Sequence, residues 1–409
     1  MLRALKFAAC LVLWAASGVA VLAENTYNPP ALLLTWQRDP AHTMCVHWQT
    51  EEEAKTEVHW RVKGSTNGWT KTSGTDRPMP FSQRTIHLVE LTGLTPRTDY
   101  EFCFLPGEKT FQFRTMPLNL AEPVRFIEGG DVYHERKWMD GMNELAGKLN
   151  PDFAVIGGDL AYALSGDLKV EKMERWNAFF ESWKDKARTP DDRLIPMVAA
   201  IGNHEVAGSY NKTPEAAKVF YAVYPLPGAA GYACLDFGDY LSLVLLDSGH
   251  THPVAGAQTK WLAQALAERK DVPHLIPVYH VPAYPSYRGE SANNVIIRTN
   301  WTPLFERNNV QVAFEHHDHT FKRTHPIRNG KIDPKGVVYL GDGAWGVKLR
   351  APDLSKPRWY LAKAGEIRHF WMVTLTRTGR HMVAVDEAGR FFDEVYQETT
   401  LPETQDLAQ

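Results

Sequence analysis

Five stretches hold residues able to do chemistry together: Gly130-Asp131, Gly158-Asp159-Leu160-Ala161-Tyr162, Gly202-Asn203-His204-Glu205, Val278-Tyr279-His280 and His317-Asp318-His319. Each alone is ordinary, since a Gly-Asp pair often only makes a turn and a strand-end histidine often only satisfies a polar neighbour. In this order along one chain they form a donor set. Asp131, Asp159, Asn203 and Tyr162 offer hard oxygens, and His280, His317 and His319 offer imidazoles, with no thiolate among them. That mixture suits iron, manganese or zinc better than a structural zinc site. Seven donors exceed what one tetrahedral ion takes. They suit two ions about 3.5 to 4 Å apart that share one carboxylate and keep positions open for water and a phosphoryl group.

Such donors need rigid strand ends to aim them. After Pro117 the chain supplies these as near-continuous apolar runs at 124–127, 153–156, 195–201, 241–246, 275–279 and 310–314. Helical patterns alternate with them at 137–149, 170–186, 258–269 and 300–307. Buried strands alternating with helices predict an α/β layered domain over 119–396, with an antiparallel edge from 369 to 396 and a flexible tail at 397–409. Upstream, short alternating segments at 32–36, 43–49, 57–62, 85–91, 100–105 and 110–114 predict a β-sandwich. The stretch from Leu91 to Tyr100 resembles the corner before the sixth strand of fibronectin type III domains, where a tyrosine hydroxyl ties back to the backbone. That resemblance places a fibronectin type III-like domain at 24–118.

Residues 1–23 carry Arg3 and Lys6, an apolar run and a small-residue end at Ala23, and read as a secretory signal peptide. The expected location is therefore extracellular or periplasmic, with no stable membrane insertion. The chain has 45 Lys+Arg against 48 Asp+Glu and no basic run, which gives no electrostatic reason to expect nucleic acid as a partner. Beyond the leader, Cys45, Cys103 and Cys234 are too few for a disulfide framework. Strand parity points Cys45 and Cys103 outward on different sheets. The chain lacks Gly-x-Ser-x-Gly, a P-loop and His-Glu-x-x-His, which removes the common serine hydrolase, nucleotide triphosphatase and zinc protease readings.

The ordered donor set is similar to that of the calcineurin-like metallophosphoesterases, and most like the purple acid phosphatases. That family uses Gly-Asp-x-Gly, Gly-Asp-x-x-Tyr, Gly-Asn-His-Glu/Asp, Val-x-x-His and Gly-His-x-His, often behind a fibronectin-like domain. The resemblance implies that Asp131, Tyr162 and His319 hold a first ion, that Asn203, His280 and His317 hold a second, and that Asp159 bridges them. A phenol ionises as a ligand only against a strongly acidic metal, so Tyr162 points to Fe(III) in the first site, with Fe(II), Zn or Mn in the second. His204 resembles the family's substrate-facing histidine and would protonate a leaving alkoxide. Arg288 either clamps phosphate oxygens or is a solvated loop residue.

Tyr133, His316, Phe321 and Pro277 depart from the family pattern. Tyr133 is read as a packing side chain, His316 as support for the ligands, and Gly341-Asp342-Gly343 as structural. The implied activity is hydrolysis of a phosphate monoester by attack of a metal-bound hydroxide. A phosphodiesterase on the same centre is the alternative, and a noncatalytic surface-binding protein is the rival from a different class.

Overall fold

A computed structural model describes residues 27–164, 169–225, 231–353, 355 and 358–399. The leader at 1–23 and positions 400–409 of the tail lie outside the described residues. The N-terminal domain is a sandwich of two four-stranded antiparallel sheets. One orders Ala31–Thr35, Met44–Thr50, Thr85–Leu91 and Thr75–Pro78, and the other Thr70–Ser73, Glu57–Val62, Asp99–Cys103 and Phe111–Arg114. The backbone N–H of Thr95 donates to the Tyr100 hydroxyl at 2.8 Å, closing the corner read from the sequence.

The expected parity of the cysteines holds, since Met44, Val46 and Trp48 on one strand and Tyr100 and Phe102 on the other fill the sandwich core and leave Cys45 and Cys103 on the opposite faces. Cys45 and Cys103 are free and on different sheets, as expected, but both are fully buried. Cys45 is buried although it faces outward because Met44–Thr50 is covered on both faces. Its inner side packs Met44, Val46 and Trp48 into the sandwich. The outer face of the same sheet puts Ala31, Leu33 and Ile86 into a cluster with Trp183, Met197 and Val219 of the second domain. Trp36 closes the seam, with its ring centroid 6.0 Å from that of Phe153 and 5.6 Å from that of Phe237.

The second domain stacks two mixed sheets. In the first, Met197–Ala199, Phe153–Ile156 and Val124–Gly129 run parallel. His369–Thr376 then pairs antiparallel with Val124–Gly129, and Gly379–Asp386 and Phe391–Glu398 follow. The C-terminal strands are thus one half of this sheet, and the last runs past 396 to Glu398. In the second sheet, Leu241–Leu245, His274–Val278, Val312–Glu315 and Val338–Gly341 are parallel neighbours. Phe126 and Val155 of one sheet meet Leu243, Ile276 and Phe314 of the other in the central core.

Helices cover the outer faces, which makes four layers. Arg136–Lys148 and Met173–Lys186 pack Met139, Met142 and Trp176 on one side. Thr259–Glu268, Ala292–Asn300 and Thr302–Arg307 pack Leu262, Ile297 and Phe305 on the other. The helix predicted at 300–307 is Thr302–Arg307, started by Pro303 in its first turn, and a further helix, Ala292–Asn300, precedes it. Among the described residues, no helix is long and apolar enough to cross a membrane.

Candidate metal centre

The five motif stretches leave the ends of Val124–Gly129, Phe153–Ile156, Met197–Ala199, His274–Val278 and Val312–Glu315. Carboxyl ends of strands in α/β sheets are where side chains from separate loops converge. Here the turns are sharp. Asp131, Asp159, Tyr162, His317 and His319 have φ of 57°, 53°, 51°, 81° and 61°. For residues with side chains this left-handed region costs roughly 1–3 kcal/mol each and persists only where the surroundings fix it. The surroundings do so through backbone bonds, with Asp131 N–H on the Gly158 carbonyl at 3.0 Å and Val132 N–H on the Asp159 carbonyl at 2.9 Å. His317 N–H donates to Asp131 Oδ2 at 2.9 Å. A Cβ on Gly343 would overlap that same Oδ2, so the Gly341-Asp342-Gly343 turn is pressed against the site.

All seven expected donors come together, in two adjoining groups. In the first, the Tyr162 hydroxyl lies 2.7 Å from Asp131 Oδ1 and 3.0 Å from His319 Nε2, which is itself 2.9 Å from Asp131 Oδ1. In the second, His280 Nε2 lies 3.1 Å from Asp159 Oδ2, 3.2 Å from Asn203 Oδ1 and 3.1 Å from His317 Nδ1. The donor atoms of Asp159, His280 and His317 lie within 4.8 Å of one another.

The tautomers test whether a cation fits. His280 Nδ1 faces the Gly157 carbonyl at 2.9 Å and His319 Nδ1 faces the Lys348 carbonyl at 3.2 Å, so a ring that ligated a metal would keep its proton there. Both Nε2 atoms then turn lone pairs inward, onto carboxylate, amide and phenol oxygens. A cation bound among these atoms would take the place of the protons that now satisfy them, such as the one the Tyr162 hydroxyl donates to Asp131 Oδ1. With no cation bound the rings carry the charge instead: burial lowers His280, but Asp159 and Asp131 outweigh it and raise the ring to about 9, and against burial His319 and His280 hold the Asp131 carboxyl below its ordinary range. Burial beside Asp131 and Asp159 drives the Tyr162 phenol well up, so only a metal of strong Lewis acidity would ionise it.

His316 is not among the donors. Its Nε2 pairs with Glu128 at 2.8 Å and its Nδ1 with the Tyr279 carbonyl at 2.9 Å, all fully buried, which occupies both nitrogens. Tyr133 turns away to stack under Arg175, 4.1 Å from the ring centroid. The next residue takes the site side: the His134 ring lies 4.3 Å from Tyr162 and 5.4 Å from His319. Sequence reasoning missed His134, which lies one residue beyond Tyr133 and belongs to none of the five motif stretches. It also missed Tyr210, whose hydroxyl is 3.4 Å from His317 Nε2, and which no motif spacing marks.

His204 stacks 4.2 Å from Tyr162, with Nε2 3.9 Å from Asp159 Oδ2. Its Nδ1 bonds the Leu164 carbonyl, so a neutral ring would have no proton on Nε2 and only the imidazolium could donate from that atom. Arg288 is no freely solvated residue. Its guanidinium bonds the His317 carbonyl and lies 3.0 Å from Asp318 Oδ1. His204 and Arg288 line one cleft of about 540 Å³ with Asp159, Tyr162, His317 and His319.

This four-layer core with oxygen and imidazole donors at its strand ends has the form of a calcineurin-like phosphoesterase, and residues 130–321 match that family's model. Residues 29–115 match the model described as the purple acid phosphatase N-terminal domain. The chain belongs to the purple acid phosphatase-like members of the calcineurin-like phosphoesterases. Purple acid phosphatase 21 of Arabidopsis thaliana is 28% identical over 274 residues, which cover 64% of this chain and 59% of the relative. Purple acid phosphatase 15 of the same plant is 25% identical over 317 residues, 69% of this chain and 58% of the relative. The chain thus spans under two thirds of the length of these relatives. Among solved structures, purple acid phosphatase PPD1 from yellow lupin (Lupinus luteus) has a TM-score of 0.73 at 16% identity, covering 89% of this chain and 73% of that one. PhoD has a TM-score of 0.64 at 13% identity, covering 93% and 94%. At such identities the likeness is one of fold.

Proposed function

We propose that this protein is a secreted phosphatase that hydrolyses phosphate monoesters at a dinuclear metal centre, with a sandwich at 24–118 and a catalytic domain at 119–396. The carrying observation is the inward convergence of donor atoms from Asp131, Asp159, Tyr162, Asn203, His280, His317 and His319, all buried except the half-buried His317. In this reading Asp131, Tyr162 and His319 hold Fe(III), Asn203, His280 and His317 hold Fe(II), Zn or Mn, and Asp159 serves both. Metals there would supply Lewis acidity that polarises phosphoryl oxygens and makes water nucleophilic near neutral pH.

The protein's own groups do the rest. The second ring nitrogens of His280 and His319, fixed by the Gly157 and Lys348 carbonyls, keep each ligand lone pair aimed. His204, open to the cleft and backed by Asp159, delivers a proton from its Nε2 to the departing alkoxide. Arg288 stands at the wall of the same cleft with its direction set by Asp318. Elemental analysis of the purified protein, paired with assays on p-nitrophenyl phosphate and bis-p-nitrophenyl phosphate, tests the proposal. Two metals per chain and faster turnover of the monoester are expected. A faster diester would make it a phosphodiesterase, and a metal-free, inactive protein would return it to a binding role.

A further inference from the structure

Two guanidinium groups reach the carbonyl of His317, and their electrostatic situations differ. Arg288 bonds that carbonyl and is paired with Asp318 at 3.0 Å. Asp318 is fully buried and also accepts the backbone N–H groups of Ser286 and Tyr287, both at 2.8 Å, and of Arg288 at 3.3 Å. This carboxylate therefore fastens the loop at 286–288 to the histidine loop and cancels most of the charge that Arg288 would bring to an anion. Arg350 is held differently. Its Nη1 donates to the His317 carbonyl at 3.4 Å, its backbone N–H donates to the His319 carbonyl at 3.0 Å, and its guanidinium lies 5.5 Å from the Tyr287 ring centroid. Among the described residues no carboxylate pairs with it. Carbonyls and an aromatic face fix a guanidinium without neutralising it.

The consequence is a division of labour that no motif in the sequence announces. Arg350 and Arg288 line the same cleft as Tyr162 and His319, and among the described residues only Arg288 is paired with a carboxylate. Resting on the phosphatase reading above, we propose that Arg350 is the substrate-binding guanidinium, the residue whose charge receives the phosphate dianion, while Asp318 and Arg288 act as a positioning pair that keeps the cleft wall in place. A fixed, unneutralised charge in a partly desolvated cleft attracts a dianion strongly, and an arginine fork can contact two of its oxygens.

The test compares Arg350→Met, Arg350→Lys and Arg288→Met in the metal-loaded protein. KM and kcat are read on p-nitrophenyl phosphate, and inorganic phosphate binding is read by calorimetry. Arg350→Met is expected to weaken phosphate binding about 10-fold and to raise KM by a similar factor, with a smaller change in kcat and unchanged metal content. Arg350→Lys should recover part of the affinity because it restores the charge. Arg288→Met should have the smaller effect on phosphate affinity. The inference is overturned if Arg350→Met binds phosphate as the unaltered protein does, if Arg288→Met is the more damaging change, or if Arg350→Met loses metal. Failure of the unaltered protein to hydrolyse the ester would sink the phosphatase reading instead, while the calorimetric comparison would still decide the role of Arg350.

Discussion

The carboxylate of Glu205 accepts the backbone N–H of Asp159 at 2.8 Å, and with it those of Leu160 at 2.8 Å and Gly202 at 2.9 Å. One fully buried side chain thus ties the loop that presents Asp159 and Tyr162 to the loop that presents Asn203 and His204. Charged hydrogen bonds are worth about 1.5–3 kcal/mol each, and an amide cannot accept at both ends. Glu205→Gln is therefore expected to lower the melting temperature by several degrees and to reduce metal content, both read on the purified variant. A Glu205→Gln protein with full metal content and unchanged melting would show that the clamp is dispensable.

Tyr162 and Tyr133 make opposite predictions about colour. Tyr162 lies between Asp131 and His319, whereas Tyr133 is stacked under Arg175 outside the donor set. If phenolate-to-iron charge transfer colours the oxidised protein, Tyr162→Phe should remove the visible band and Tyr133→Phe should keep it. A band that survives the first change and vanishes in the second would reverse the assignment.

His204 should matter most where the leaving group is basic. A positioned acid is worth about 10²- to 10⁴-fold on an alkoxide, and p-nitrophenolate departs without one. His204→Ala should retain much of its rate on p-nitrophenyl phosphate and lose most of it on glycerol phosphate, at unchanged metal content. Equal losses on both substrates would mean that the ring positions phosphate or supports Asn203.

Acid should destabilise the fold through His47. Among the described residues neither ring nitrogen has a partner, and burial, with Arg77 and His87 nearby, pushes its pKa down to about 3. The folded state keeps the ring neutral while the unfolded chain protonates it near 6.5. This contribution is therefore neutral above pH 6.5, and stability is lost as pH falls from there toward 3. At pH 4 the loss is about 3 kcal/mol at 1.36 kcal/mol per unit. His47→Leu should flatten the pH dependence of the urea midpoint between pH 7 and 4. An unchanged slope would place the acid sensitivity elsewhere.

The strands Glu57–Val62, Thr85–Leu91 and Phe153–Ile156 match the periodicity read from the chain. Thr70–Ser73 and Thr75–Pro78 were illegible because they are polar edge strands with almost no buried residues, and burial is what leaves a pattern. The donor set was legible because its types and order are tied to strand ends. The direction of each side chain was not: sequence gives Tyr133 and His134 as neighbours, and only the turn after Asp131 decides which one faces His319. Arg350 and Asp318 were opaque for a related reason, since their roles depend on which of two arginines a buried carboxylate neutralises.

The seam between the two domains bears on how the molecule comes apart. Ala31, Leu33, Ile86 and Trp36 bury against Trp183, Met197, Phe153 and Phe237, so separating the halves would expose apolar surface on both. Trp36 at the joint also anchors its own indole N–H on the Thr43 carbonyl at 3.1 Å, within the sandwich. Sandwich and layered domain therefore unfold as one cooperative unit. The sandwich is a foundation for the strands that aim the metal donors, not an arm free to swing toward a distant partner.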